Sequence, residues 1–197
     1  MQLTMTWMDL LLVSPAMALF LASIFPLAIK VLRGNEEQNT VATLIHGFIG
    51  LVVAAGLLIA TFGMKQTAFE NALVFDGISS IAGMVVVLMT AIALTFSREN
   101  IATNGEQFSE HVFLVLNAAV GMLIFIWSND LIVTFVGLEL MSLCLYVLIA
   151  MSAEEKVSKE AAFKYFVLGS FASAIFLYGI SFIYGTAGST YLPDLHN

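Results

Sequence analysis

The chain has 197 residues, of which 60% are hydrophobic and only 11% are charged, whereas about 25% are charged in an ordinary soluble domain. Its mean hydropathy is +0.96, and its apolar runs of about twenty residues are each long enough to cross a bilayer as a helix. This composition excludes a typical soluble protein. A transmembrane barrel is also excluded, because short segments of alternating polarity are missing. The sequence predicts an all-α fold, a polytopic bundle of transmembrane helices.

The net charge of −7 belongs to the loops of such a protein and says little about its partners, although it disfavours nucleic acid. The one cysteine, Cys144, lies in an apolar run, so the chain has no intrachain disulfide and no cysteine pair for a metal or an iron–sulfur cluster. The histidines, His46, His111 and His196, are far apart, and neither a GxGxxG motif nor a P-loop is present. We therefore expect no metal site and no cofactor site in this chain, and any redox chemistry to take place elsewhere.

The apolar runs predict six membrane spans in one membrane domain, at residues 10–32, 41–63, 77–96, 111–127, 131–151 and 161–185. The first span is longer than a signal peptide requires, and no Lys or Arg precedes it, so we expect an uncleaved helix. Only residues 128–130 separate the fourth and fifth spans. A connection this short predicts adjacent, antiparallel helices.

The distribution of basic residues predicts the orientation, because cytoplasmic loops retain Lys and Arg. Lys65 stands alone on one side, and five basic residues lie on the other: Lys30, Arg33, Arg98, Lys156 and Lys159. Both ends of the chain are therefore predicted to face away from the cytoplasm.

The last segment, residues 186–197, is short and polar, and no stabilising pattern is recognisable in it. It resembles a loop between helices that has been cut short. The Gly and Ser residues of the sixth span are suited to packing against further helices. We therefore expect the chain to be a fragment of a longer subunit.

Glu139 is the ionisable residue that lies clearly inside a predicted span, where a charge costs roughly 2.5 to 3.5 kcal/mol. It lies eight residues into the fifth span, about 12 Å from the membrane edge. Ser142 and Tyr146 share its helix face and are candidates to hydrogen-bond the carboxyl group or to line a hydrated cavity. Two interpretations stay open: a protonated carboxyl group that packs two helices together, or a carboxylate that exchanges a proton with the help of a cation.

Lys164 is the one internal candidate for that cation. It lies three residues inside the sixth span, so its long side chain can instead extend to the cytoplasmic interface. Four polar residues of this helix share a face that does not include Lys164: Ser170, Ser173, Ser181 and Tyr184. The spacing of Gly169 and Ser173 favours close helix packing over a relay.

Four further polar residues have simpler interpretations. Asn117 is predicted to hydrogen-bond a neighbouring helix, with a water-organising role as the alternative. Asp76 precedes the third span and is predicted to start that helix. His46 and His111 lie near span ends, and His46 is the better relay candidate of the two.

Two stretches carry a recognisable pattern, SNDLIVTFVGLELMSLCLYVLIA at residues 128–150 and EAAFKYFVLGSFASAIFLYGISFIYGTAGS at residues 160–189. They resemble subunit N of the proton-pumping NADH-quinone oxidoreductase, respiratory complex I, and the resemblance extends over about residues 76–189. Antiporter-like subunits of the same enzyme and of multi-subunit cation/proton antiporters share the fifth helix with its glutamate. The stretch EAAFKYFVLG favours subunit N over these relatives.

The resemblance implies that Glu139 matches the buried glutamate of helix five in that family and that Lys164 matches its lysine of helix six. By this analogy the chain supplies the first six helices of an antiporter-like fold of about fourteen. In the family the glutamate works with a lysine of helix seven, which this chain does not contain. Cys144 stands where the family often has proline, which puts the local geometry of helix five in doubt but not the charge assignment.

The leading hypothesis is a non-redox membrane-arm subunit that contributes to proton translocation coupled to quinone reduction, with Glu139 and Lys164 as its site residues. NADH and quinone would be handled elsewhere in the complex. The implied partners are the other membrane-arm subunits and the lipid of a bacterial inner membrane. A subunit of a cation/proton antiporter and a purely structural membrane subunit are the alternatives.

Overall fold

A computed structural model describes residues 6–33, 40–101, 107–151 and 155–196. These contain six helices, which are long and apolar enough to cross a membrane: α1 (Trp7–Arg33), α2 (Thr40–Ala60), α3 (Gly77–Ile101), α4 (Phe108–Trp127), α5 (Leu131–Ala150) and α6 (Glu155–Ala187). Two short strands, β1 (Gln66–Ala68) and β2 (Leu73–Phe75), and a 3-10 helix (Leu192–His196) complete the fold. The predicted all-α membrane bundle is confirmed.

Helices α1 to α4 form the compact part of the bundle. Half of the α4 span is buried within the chain, compared with 11% of the α5 span and 6% of the α6 span. Apolar side chains of α1, α2, α3 and α4 make the core, and Leu12, Leu19, Leu94, Leu116 and Leu123 among them are fully buried. Helices α5 and α6 lie at the edge of this core, with α5 packed against α4 and α6 packed against α5.

The β-hairpin is an element that the apolar periodicity did not predict. Strands β1 and β2 pair antiparallel, with Thr67 opposite Val74. The turn between them has three residues with positive φ: Phe69, Glu70 and Asn71. Phe75 packs on the ring of Trp127 at 5.0 Å between ring centroids, so the hairpin closes one end of the bundle. We call this end the hairpin side.

The last segment is held in place on the hairpin side by contacts with the α4–α5 connection. Tyr191 forms an isolated bridge with Asp130, and the amides of Leu131 and Leu192 donate to Thr190 O and Asn129 O at 2.9 and 3.0 Å. The α4–α5 connection also binds the hairpin, because Asn129 N donates to Ala72 O at 2.9 Å. Backbone pairing with distant segments leaves no periodic pattern in the sequence, so these contacts could not be predicted from residues 186–197 alone.

The observed helices extend past several of the predicted spans, most of all at the start of α6. This helix begins at Glu155, six residues before the predicted start at residue 161. Its first turns contain charged residues, and Lys159 and Glu160 are exposed. The apolar run therefore located the membrane span and not the start of the helix, so Lys164 is the tenth residue of α6.

Candidate functional site

The α4–α5 connection fixes where α5 begins and hence how deep Glu139 lies. Asp130 caps the helix, since its Oδ1 accepts a hydrogen bond from Ile132 N at 2.8 Å. Its Oδ2 accepts a hydrogen bond from Thr190 Oγ1 at 2.6 Å, which anchors the cap to the last segment. Glu139 is consequently the ninth residue of α5, about 12 Å along the helix from its first residue.

Two glycines bring α4 and α5 into direct backbone contact next to Glu139. A Cβ atom on Gly121 would lie 2.6 Å from Met141 N, and one on Gly137 would lie 2.7 Å from Phe125 N. Such approaches are too short for any side chain. Gly121 therefore faces the turn of α5 between residues 137 and 141, which contains Glu139, and the glycine pair fixes that turn against the buried helix α4.

Glu139 contacts α6 through a hydroxyl group. Ser173 Oγ donates a hydrogen bond to Glu139 Oε1, and both residues are partly buried. One helical turn nearer the hairpin side, the rings of Phe135 and Phe176 stack at 6.2 Å between centroids. The carboxyl group thus lies in a polar layer between α5 and α6. The stacked rings of Phe135 and Phe176 border this layer on the hairpin side.

Tyr146 forms the next aromatic layer, on the other side of Glu139. Its ring lies 4.9 Å from that of Tyr165 and 5.7 Å from that of Phe166, edge to face in both cases. Its hydroxyl points at Gly169, where an added Cβ would lie only 1.8 Å from the oxygen. The sequence predicted that Tyr146 shares the face of Glu139, but not that Gly169 provides the space for its hydroxyl group.

Lys164 is not brought to Glu139. Its Nζ lies 2.6 Å from Oε1 of Glu160, one turn earlier on α6, and the two side chains are 72% and 66% exposed. Lys164 and Ser173 are nine residues apart, which places them on opposite faces of the helix. Within the described residues, the carboxyl group of Glu139 therefore has a hydroxyl group as its partner and no ion pair.

Glu110, another carboxylate inside a span, was not recognised in the sequence. Its Oε1 lies 2.5 Å from Lys30 Nζ, and this ion pair joins α4 to α1 with side chains 37% and 19% exposed. The predicted fourth span began at residue 111, one residue later, so Glu110 was placed in a loop. Lys30 lies in the last turns of α1, which runs antiparallel to α4. This position could have suggested an ion pair between the two helices.

The two simpler polar predictions are confirmed. Asn117 Nδ2 donates to Ser23 Oγ at 2.9 Å, a buried hydrogen bond between α4 and α1. Asp76 starts α3: its Oδ1 accepts from Ser79 N at 2.7 Å, and Ser79 Oγ accepts from Asp76 N at 2.8 Å. The backbone hydrogen bond from Ser79 holds the pKa of the Asp76 carboxyl group below its usual range.

His46 and His111 lie in the compact part of the bundle, away from the α5–α6 contact. His46 Nδ1 is 2.6 Å from Ala42 O, and its ring lies 4.8 Å from that of Phe25. His111 Nε2 is 2.9 Å from Ser97 Oγ. In the described parts of the chain, no group of three His, Cys, Asp or Glu side chains could hold a metal ion. The side chains of Arg33, Arg98, Lys156 and His196 lie outside the described part.

Comparisons with known proteins agree with this architecture. The family described as NADH:quinone oxidoreductase/Mrp antiporter, TM, matches residues 128–197, which contain α5, α6 and Glu139. A structure of respiratory complex I from Thermus thermophilus with bound aureothin is similar with a TM-score of 0.73 and 28% identity, covering 90% of this chain and 38% of that one. The fold is thus that of an antiporter-like transmembrane helix bundle.

Curated relatives point to one family within this class of antiporter-like proteins. The NADH-quinone oxidoreductase subunit N of Bdellovibrio bacteriovorus is 53% identical over 92% of this chain and 37% of its own length. That of Paramagnetospirillum magneticum is 37% identical over 96% of this chain and 39% of its own length. The chain therefore spans less than half the length of these relatives. The matches confirm the resemblance to the subunit N family that the two motifs indicated.

Proposed function

We propose that this chain is part of a non-redox membrane-arm subunit of an NADH-quinone oxidoreductase and contributes to proton translocation coupled to quinone reduction. In this proposal Glu139 takes up and releases the proton, and other subunits of the complex handle NADH and quinone. The observation that carries the proposal is the contact between Glu139 and Ser173, inside the region that matches the antiporter-like family.

A hydroxyl partner suits a carboxyl group that changes its protonation state. The Ser173 hydroxyl donates to the carboxylate, and after rotation of its O–H bond it accepts from the carboxylic acid. Neither state of Glu139 then loses its hydrogen bond. A cationic partner would instead favour the charged form and hold the proton off. Glu139 is thus placed to exchange a proton at a lower cost than an ion-paired carboxylate.

Lys164 enters the proposal as a secondary site residue. Its ammonium group is paired with Glu160 on the far face of α6, so it acts on Glu139 only through a longer-range field. The basic residues further suggest an orientation in a bacterial inner membrane with the hairpin side, and both ends of this chain, away from the cytoplasm.

The test replaces the proton-exchanging group and keeps its shape. We expect Glu139→Gln to reduce proton translocation in native membranes to near background, because a side-chain amide accepts a hydrogen bond from Ser173 but does not titrate. Translocation is measured during NADH oxidation, and NADH–quinone activity reports assembly. Glu70→Gln, the same change at an exposed turn of the hairpin, is the matched control. Normal translocation by an assembled Glu139→Gln complex would contradict the proposal.

An antiporter subunit is the second candidate function, because the description of the matching family includes the Mrp antiporter. The same membranes separate the two candidates. Proton flux that depends on sodium and needs no NADH favours the antiporter, and flux that needs NADH favours the respiratory complex. If Glu139→Gln impairs assembly without a specific loss of translocation, Glu139 is a packing residue and the chain has a structural role.

A further inference from the structure

Helix α6 has little packing of its own to fix its position along α5. Only 6% of its span is buried within the described chain, and the helix packs against α5. The contacts between the two helices share one register, with Glu139 opposite Ser173 and Phe135 opposite Phe176. A shift of α6 by one turn, about 5.4 Å, would separate Glu139 from its hydroxyl partner. The position of α6 along α5 therefore decides whether this hydrogen bond exists.

The two helices are joined on the hairpin side by a contact that we call the end clamp, between residues 129–131 and residues 190–192. Leu131 N donates to Thr190 O at 2.9 Å, and a second backbone hydrogen bond of 3.0 Å runs in the opposite direction. Asp130 lies between these two hydrogen bonds and forms an isolated bridge with the last segment. The end clamp thus ties the beginning of α5 to the chain that leaves α6.

Asp130 contributes the side chain at the centre of the end clamp, and its two carboxylate oxygens bind different segments. Oδ1 accepts a hydrogen bond from Ile132 N at 2.8 Å and so caps α5. Oδ2 accepts a hydrogen bond from Thr190 Oγ1 at 2.6 Å, three residues after the end of α6. One planar carboxylate group therefore holds the chain that leaves α6 against the first turn of α5.

The connection between α6 and the end clamp leaves little freedom for α6 to slide. Gly188 turns the chain out of the helix at φ +71°, and its amide donates to Tyr184 O at 2.8 Å. From the level of the Glu139–Ser173 contact, α6 extends six residues further toward the hairpin side than α5 does, which is about 9 Å. Residues 188–190 span at most about 10 to 11 Å on the way back. A slide of one turn toward the hairpin side exceeds this reach.

We propose that Asp130 is a positioning residue for the proton site. Through Thr190 it fixes the register of α6 on α5, and this register keeps Ser173 opposite Glu139. Asp130 does not touch the exchanged proton, because it lies nine residues, about 13.5 Å, before Glu139 on α5. The inference rests on the proposed function, since the hydrogen bond that the register preserves is that of the proton-exchanging carboxyl group.

Thr190→Val tests the end clamp and leaves the cap of α5 intact, because it replaces the donating hydroxyl group with a methyl group. We expect proton translocation in native membranes to fall about fivefold, the factor that corresponds to one lost hydrogen bond of about 1 kcal/mol. Thr190→Ser keeps the hydroxyl group and should keep the wild-type rate. Thr186→Val is the matched control, since that hydroxyl donates to carbonyl groups of its own helix at 3.0 Å.

Infrared difference spectroscopy during NADH-driven turnover separates positioning from a purely structural role. In the Thr190→Val complex we expect the carbonyl band of protonated Glu139 to move to higher frequency, because the carboxylic acid loses Ser173 as its partner. A structural residue would change the amount of assembled complex, measured as NADH–quinone activity, and leave the band in place. An unshifted band in the Thr190→Val complex overturns the proposal and assigns the register to the packing of Tyr146 on Gly169. Failure of Thr190→Val alone to assemble overturns it as well.

Gly188→Ala disturbs the same connection by a different physical cause, because alanine disfavours the positive φ of this position. We expect the same band shift and a similar loss of translocation. Gly185→Ala is the matched control, since no atom lies within 4 Å of a Cβ there, and it should behave as wild type. Wild-type behaviour of the Gly188→Ala complex would contradict the restraint that residues 188–190 impose on α6.

Glu139→Gln distinguishes failure of the positioning role from failure of the proposed function. If Glu139→Gln abolishes translocation and the infrared band while Thr190→Val behaves as wild type, only the positioning role fails. If Glu139→Gln translocates normally and keeps the band, the proposed function fails, and the positioning role fails with it.

Discussion

Among the glutamates in the described membrane spans, the two that are partly buried, Glu110 and Glu139, have opposite partners. Glu110 lies in the first turn of α4 and forms an ion pair with Lys30 of α1. Glu139 lies in the middle of α5 and accepts a hydrogen bond from the neutral Ser173 of α6. The first joins two helices of the compact core, and the second lies between the two helices that are least covered.

The partner of each carboxyl group determines how well it is suited to a change of charge. Protonation of Glu110 would leave Lys30 facing a neutral carboxyl group in a partly buried site, so the ion pair is suited to structure. Protonation of Glu139 changes only the direction of a hydrogen bond with Ser173. The hydrogen-bond partner of a carboxyl group therefore matters for proton exchange as much as the depth of the group in the membrane does.

The largest expected difference in stability is that between Glu110→Gln and Glu139→Gln, the same substitution at the two glutamates. Glu110→Gln is expected to lower the free energy of unfolding by about 2 kcal/mol, between the values for exposed and fully buried ion pairs. Glu139→Gln keeps its hydrogen bond with Ser173 and should change the free energy of unfolding by less than about 0.5 kcal/mol. Thermal unfolding of the detergent-solubilised complexes measures both. Equal destabilisation by the two variants would remove the proposed contrast.

A smaller effect on stability is expected at the glycine pair. Gly137→Ala forces α4 and α5 apart, because the new Cβ would lie 2.7 Å from a backbone nitrogen, and should cost about 1 to 2 kcal/mol. It should also lower translocation by moving Glu139 relative to Ser173. Gly56→Ala is the matched control, since no atom lies within 4 Å of a Cβ there. If Gly137→Ala unfolds and translocates as Gly56→Ala does, the glycine contact does not position Glu139.

Lys164→Ala should have the smallest effect. The ammonium group is 72% exposed and pairs with Glu160, and an exposed pair one turn apart contributes about 0.3 to 0.5 kcal/mol. We expect a partial loss of translocation, smaller than that of Glu139→Gln, and no change in assembly. Translocation assays at matched complex content measure it. A loss as complete as that of Glu139→Gln would make Lys164 a direct partner of the carboxyl group.

The sequence drew attention to Glu139 because a carboxyl group in the middle of an apolar run is conspicuous, and its role stays a prediction. It could not supply the partner, because Ser173 lies 34 positions away and many serines occur in α6. Glu110 was not recognised as a residue of a membrane span for a different reason. It lies at the edge of its apolar run, where a charge looks like a loop residue, and the partner that places it in the bundle lies 80 positions away.

Contacts between segments that are distant in the sequence also explain why the hairpin side was not predicted. Strands of three residues each are too short for an alternating pattern to be recognised. They are held by the backbone of Ser128 and Asn129, which is distant in the sequence. By contrast, the short α4–α5 connection correctly predicted adjacent helices, because a local constraint sufficed.

The central claim is that Glu139 changes its protonation state during turnover. Infrared difference spectroscopy of the assembled complex, between the resting state and NADH-driven turnover, observes the carbonyl stretch of a protonated carboxyl group directly. The account predicts a difference band that Glu139→Gln abolishes and Glu110→Gln leaves in place. A band that survives Glu139→Gln, or no change in carboxyl protonation on turnover, would contradict it.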